Sequence, residues 1–223
     1  MDFIMMLTRS DRTVEDAEEL ADAIIALGVR HIGFKDVGVP FDTMQRVVAK
    51  IRAANAVSYL EVVSTSPQTV LGSLAAGKKL GVDRILGGTD LVAAKSVLHD
   101  LSNYYPFPGR PVGHPTKLGG SPELVADHCR EARRHGCGGV DLLAYRATEA
   151  DPLALVRAAR TALAGGKLIV AGSVNTAAQI RDLAKAGADA FTVGSAVLDG
   201  SFAPTKGSLG GQVRDILAAA SGN

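Results

Sequence analysis

Four stretches of this 223-residue chain read alike: ALGVRHIGF from Ala26, KLGVDRILGG from Lys79, RHGCGGVDLL from Arg134 and KAGADAFTVG from Lys185. Each is the tail of an amphipathic helix, a glycine, then a short apolar run. Glycine suits the residue after a helix because it enters the left-handed conformation without steric penalty. The glycines Gly28, Gly81, Gly136 and Gly187 recur at near-equal intervals. Each interval is too long for one strand-and-helix unit and right for two.

The intervening strands are found midway. Ser58 to Val63 (SYLEVV) and Lys167 to Ala171 (KLIVA) are strand patterns that follow an Asn or Gly helix stop, and Phe3 to Leu7 opens the chain as another. The count requires one more strand between Leu101 and Val112. Eight strands alternating with helices imply parallel pairing. An open doubly wound sheet would want a Gly-rich dinucleotide turn after an early strand, and the sequence has none. Residues 1–223 therefore read as one α/β domain, a (β/α)8 barrel of eight parallel strands. Thr13-Val-Glu-Asp16 has the pattern of a capping box for the first helix. Gly72 to Lys78 imitates the spacing of a phosphate-binding loop, but Lys79 stands where magnesium would need a hydroxyl, and the run lies inside a helix pattern.

Charge and cysteine content narrow the function classes. Lys and Arg number 24 against 23 Asp and Glu, a formal charge of +1. Nucleic acid and anionic membrane, which select basic surfaces, are not the expected partners. Cys129 and Cys137 lack the spacing of a zinc or redox motif and read as reduced thiols. No apolar run reaches spanning length, so the expectation is a soluble cytoplasmic protein.

The last third is the most informative. Both final strands end in Gly-Ser, as LIVA-Gly172-Ser173 and AFTV-Gly194-Ser195. Strands seven and eight of a barrel are neighbours, so the two turns meet at the C-terminal face. There, backbone N–H groups cradle an anion. The run VAGSVNTAAQIRDLAKAGADAFTVGSAVLD, from Val170 to Asp199, resembles the end of ribulose-phosphate-binding barrels, a superfamily of sugar-phosphate epimerases, decarboxylases and aldolase-like enzymes. The resemblance implies phosphate binding by the backbone of Gly172, Ser173, Gly194 and Ser195. It does not extend to the Asp-x-Lys-x-x-Asp motif of the decarboxylase branch, which is missing here. Nor does it extend to the strand-six lysine of deoxyribose-phosphate-type aldolases, since Tyr145-Arg146 stands in that place.

Strand alternation selects the chemistry. In HIGFKD, Ile32 and Phe34 suit the helix side, which turns Lys35 inward. By the same argument Glu61, Asp141, Leu143 and Tyr145 point into the barrel. A lysine and two carboxylates in one interior are costly unless paired. They form either a structural ion-pair network or a catalytic set. Lys35 either forms a Schiff base with a carbonyl or stays charged and stabilises an enolate, with Glu61 or Asp141 moving the proton. Neighbouring carboxylates favour the charged lysine.

The rim is completed by Arg9, Asp90 and Arg146, and by His114 and Lys117 in the proline-dense segment Asn103 to Pro122, which is expected to shape a substrate-contacting loop. No metal cluster is expected, although acidic strand ends offer magnesium oxygen ligands. The first expectation is a carbohydrate-metabolism lyase or aldolase acting on a small phosphorylated substrate through Lys35. An isomerase or epimerase using Glu61 and Asp141 comes next, then a non-catalytic barrel that senses a phosphometabolite. Self-association as a homo-oligomer is compatible with all three.

Overall fold

A computed structural model describes residues 1–64, 66–113 and 115–222 of the chain. Eight parallel strands form one sheet: β1 (Asp2–Met6), β2 (His31–Lys35), β3 (Val57–Val62), β4 (Arg84–Gly87), β5 (Tyr104–Tyr105), β6 (Gly139–Leu142), β7 (Lys167–Val170) and β8 (Ala190–Val193). Their spatial order is β6-β7-β8-β1-β2-β3-β4-β5, so the first strand pairs with the last. Between the ends of this row, the Gly138 N–H donates to the Tyr104 carbonyl at 3.2 Å and the Asp141 N–H to the Pro106 carbonyl at 3.0 Å. These bonds close the sheet into the expected (β/α)8 barrel.

The helices α1 (Ala17–Ala26), α2 (Phe41–Ala53), α3 (Pro67–Leu80), α4 (Leu91–Leu98), α5 (Pro122–Arg134), α6 (Pro152–Leu163) and α7 (Ala177–Ala186) surround it, followed by short α8 (Ser195–Leu198) and α9 (Leu209–Ser221). The four glycines of the sequence period all have positive φ, as helix-ending residues should. The Gly72–Lys78 run lies within α3. A Cβ on Gly77 would meet side chains of Leu60 and Ile85 at 2.9 Å, so this glycine serves close helix–sheet packing.

Alternation sorts the side chains as expected along β2, β3 and β6. Ile4, Met6, Tyr59, Leu86, Tyr105, Ile169 and Ala190 fill the barrel interior. Ile32, Phe34, Leu60, Val140 and Leu142 pack instead into the large core between strands and helices. At the N-terminal end, a polar layer joins the Tyr59 hydroxyl to Arg84 at 2.6 Å and His31 at 2.9 Å, while Lys167 meets Asp2 at 2.7 Å. The bottom of a barrel is where such contacts act in stability.

Two expectations about local structure are corrected. Thr13 does not cap α1. That helix begins after Asp16 with no side-chain cap, and the Thr13 hydroxyl instead bonds the Lys35 N–H at 2.8 Å and the Lys35 carbonyl at 2.9 Å. A complete capping box occurs at Thr176 and Gln179, at the start of α7. Leu143 and Tyr145 do not continue the inward face of β6, because the strand ends at Leu142 and a 3-10 turn follows over Ala144–Arg146. The turn resets the direction of every side chain after it.

Candidate active site

The C-terminal mouth holds a cavity of about 190 Å³. Lys35 and Glu61, Cα partners across β2 and β3, project into it. Both Gly-Ser turns line it, together with Asn175, Thr192, Thr8, Asp11 and Arg146.

Asp11 comes from the first loop. After β1 the chain makes a tight antiparallel hairpin in which Thr8 faces Thr13 and Arg9 faces Arg12. Its two central residues, Ser10 and Asp11, have φ of 49° and 59°. Positive φ at both positions is the signature of a hairpin turn whose twist matches its strands, and Asp tolerates that conformation better than most residues. The carboxylate of Asp11 is thereby laid on the barrel mouth. Its Oδ1 accepts from Lys35 Nζ at 2.7 Å, and both of its oxygens accept from Arg146, at 2.7 and 2.9 Å. The two-pronged geometry is the strong form of the Arg–carboxylate pair. Lys35 Nζ also lies 3.4 Å from Glu61.

The protonation states follow from these contacts. Burial disfavours the charge on Lys35 most, but Glu61 and Asp11 together outweigh it and raise the lysine above its ordinary value. Burial likewise acts against Asp11, yet the Arg146 hydrogen bond and the Lys35 charge hold it far below the usual carboxylate range. Asp141 is different. It is 0% exposed, neither of its side-chain oxygens has a partner among the described residues, and burial followed by the charge of Glu61 pushes it well above the carboxylate range. It lies inside the barrel, outside the cavity lining.

The two Gly-Ser turns are tightly built. Gly172 and Ser173 have φ of 77° and 61°. A Cβ on Gly172 would stand 2.5 Å from Arg146 Nε, and one on Gly194 would stand 2.7 Å from Thr8 Oγ1 and 2.9 Å from the Thr8 carbonyl. Ser195 opens α8, where the first N–H groups have no partner within the helix. Gln179 ties down the other turn, accepting from the N–H of Asn175 at 2.7 Å and of Thr176 at 3.1 Å. Arg146 links the two halves of the site, with its guanidinium on Asp11 and its side chain against Gly172.

Other sequence candidates lie elsewhere. Tyr145 is half-buried among apolar residues on the helix side, with Asp182 and Asp151 as its neighbouring charges. Arg9 is exposed and pairs with Asp199 at 2.7 Å. Asp90 caps α4 by accepting from the Ala93 N–H at 2.9 Å and lines a second cavity. Lys117 is exposed on a hairpin formed by Arg110–Val112 and Lys117–Gly119. His114 lies outside the described residues. Asp11, Thr8, Asn175 and Thr192 were not anticipated. A carboxylate just past a strand end was the available signal for Asp11, but Ser-Asp is not the usual Asn-Gly hairpin signature. Glu61, which could have offered an oxygen to magnesium, faces Lys35. Among the described residues no three His, Cys, Asp or Glu side chains gather as a metal site, and no helix is long and apolar enough to cross a membrane.

The fold and cavity define a (β/α)8 barrel with a recess at its mouth over the last two strands, and solved structures share that architecture. Orotidine 5'-phosphate decarboxylase from Pyrococcus horikoshii OT3 matches over 99% of this chain and 100% of its own, with TM-score 0.68 and 15% identity. A chain of the tryptophan synthase α2β2 complex from Pyrococcus furiosus matches over 100% and 98%, with TM-score 0.65 and 17% identity. Thiamine phosphate pyrophosphorylase from Pyrococcus furiosus matches over 97% and 95%, with TM-score 0.58 and 14% identity. All three match this chain over at least 95% of their own length. At such identities the likeness is one of fold. No protein-family model and no curated protein sequence matches the chain.

Proposed function

We propose that the chain is an enzyme that holds a small phosphorylated carbonyl compound by its phosphate and forms an enolate beside the charged Lys35. One observation carries this reading. A lysine side chain only 5% exposed is held between Asp11 and Glu61 on the wall of the cavity that the two Gly-Ser turns line. A fixed positive charge in a site poor in water stabilises negative charge that develops on a carbonyl oxygen without waiting for solvent to reorganise. A Schiff base needs the free amine, and the raised lysine argues for the ammonium instead.

The roles then divide by protonation. Asp11, locked to Arg146, is a poor proton acceptor and serves to position Lys35. Glu61 is the base. In the lyase or aldolase reading it takes the proton of a hydroxyl β to the carbonyl. The carbon–carbon bond breaks, its electron pair becomes the enolate held by Lys35, and the proton returns to the enolate carbon. Isomerisation or epimerisation is the second reading, favoured by Asp141. Burial and then Glu61 raise its carboxyl well above the carboxylate range, and a carboxyl so raised holds a proton for general acid catalysis.

The test is proton NMR in D2O with a panel of phosphorylated aldehydes and ketones. Wild type should cleave one of them or exchange its α-hydrogen. Glu61→Gln and Lys35→Arg should lose at least about 100-fold of that rate while inorganic phosphate still stabilises both against heat. Exchange without cleavage selects the isomerase. Thermal stabilisation with no turnover by any compound leaves a sensing barrel. A borohydride-trapped adduct absent from Lys35→Met would replace the ammonium by a Schiff base.

A further inference from the structure

The barrel mouth carries a second cavity, of about 180 Å³, with a different lining. Val63 just past β3, Val70, Leu71 and Leu74 on α3, and Phe107 after β5 give it apolar walls, and the second hairpin contributes Pro111. Asp90 is its one charged lining residue among the described residues, and that carboxylate already caps α4. An anion gains nothing in such a place. Behind Gly88 in the wall lies the hydroxyl of Tyr104, buried and without a partner among the described residues, 2.8 Å from where a Cβ on Gly88 would stand.

The two cavities are neighbours at the barrel mouth. Glu61 lines the first, and Val63, two residues further along the chain and just past β3, lines the second. Thr116 lines the second, and its carbonyl accepts at 3.3 Å from Arg146, which lines the first. Size narrows the occupant: an apolar cavity of about 150 Å³ holds one benzene molecule. The second cavity therefore suits a single uncharged ring or a short branched hydrocarbon chain.

We propose that it binds the apolar part of the same substrate, which makes the substrate a phosphorylated carbonyl compound bearing one ring or a short branched chain. This rests on the phosphate reading of the first cavity. It goes further by assigning the far end of the molecule.

The test uses the full chain, benzaldehyde as the ring probe and inorganic phosphate as the anion probe. Ala93 lines the second cavity and has no part in the first, so Ala93→Phe fills one without touching the other. Val70→Phe is the alternative where that variant does not fold. Saturation-transfer NMR should detect benzaldehyde on wild type, weakened about tenfold or more in the filled variant, while phosphate-induced line broadening in phosphorus NMR is unchanged. Benzaldehyde binding that survives both fillings, or none on wild type, overturns the proposal and leaves the phosphate reading intact. Benzaldehyde bound with no phosphate binding overturns the shared substrate, and with it the phosphate reading.

Discussion

Asp11 and Asp141 are two buried carboxyls in one barrel whose acidities are shifted in opposite directions, and their environments account for the difference. Asp11 has two cations that favour its charge, while Asp141 has no partner among the described residues and burial acts against its charge. Their pH signatures should be opposite. Asp11 is depressed in the folded protein, so its contribution is complete above the unfolded value of about 4 and is lost as pH falls toward the folded one. Asp11→Asn should destabilise the protein by about 3–5 kcal/mol at neutral pH, because it strands Arg146 and weakens the hold on Lys35. Melting temperature followed down through acid should then fall less steeply in the variant than in wild type. Asp141 is raised in the folded protein. The unfolded chain ionises it first as pH rises, so it subtracts stability above about pH 4, by up to about 1.4 kcal/mol for each pH unit until it ionises in place. Asp141→Asn should therefore gain on wild type as pH rises above about 4, and a gap independent of pH would overturn the raised pKa of Asp141.

At the scale of elements, the Gly172-Ser173 turn after β7 depends on the cap of α7. Gln179 is outside the cavity lining, yet it holds the N–H groups of Asn175 and Thr176 and closes the capping box. Gln179→Ala should cost about 1 kcal/mol of stability, as lost caps do, and should also weaken phosphate binding in the same titration. The sequence showed this region well, because Gly-Ser turns, helix stops and strand alternation are all local signals. Alternation oriented Lys35, Glu61 and Asp141 correctly for the same reason. It failed at Tyr145, where a 3-10 turn ended the strand, and nothing in the order of residues marks that turn. The hairpin that delivers Asp11 was missed because its turn lacks glycine. The Asp11–Arg146 pair joins residues 135 apart in sequence, so only the closed barrel brings them together.

At the scale of the whole molecule, the barrel is not equally strong around its circumference. β5 has two residues, and its junction with β6 rests on the Gly138 and Asp141 N–H bonds, whereas β2 and β3 are in register over five pairs. Amide hydrogen exchange should find Gly138 and Asp141 opening before the interior amides of β2 and β3, as local openings follow the thinnest bonding. Uniform protection around the barrel would contradict the ranking. The pairing of β1 with β8 has a consequence for how the chain is made. β1 finds one neighbour in β2, which follows it closely in sequence, but its other edge belongs to β8. During N-to-C synthesis, β1 leaves the ribosome well before β8 and carries an open edge until Ala190–Val193 has followed it out. An unpaired edge is a place where a growing chain pairs with the wrong partner.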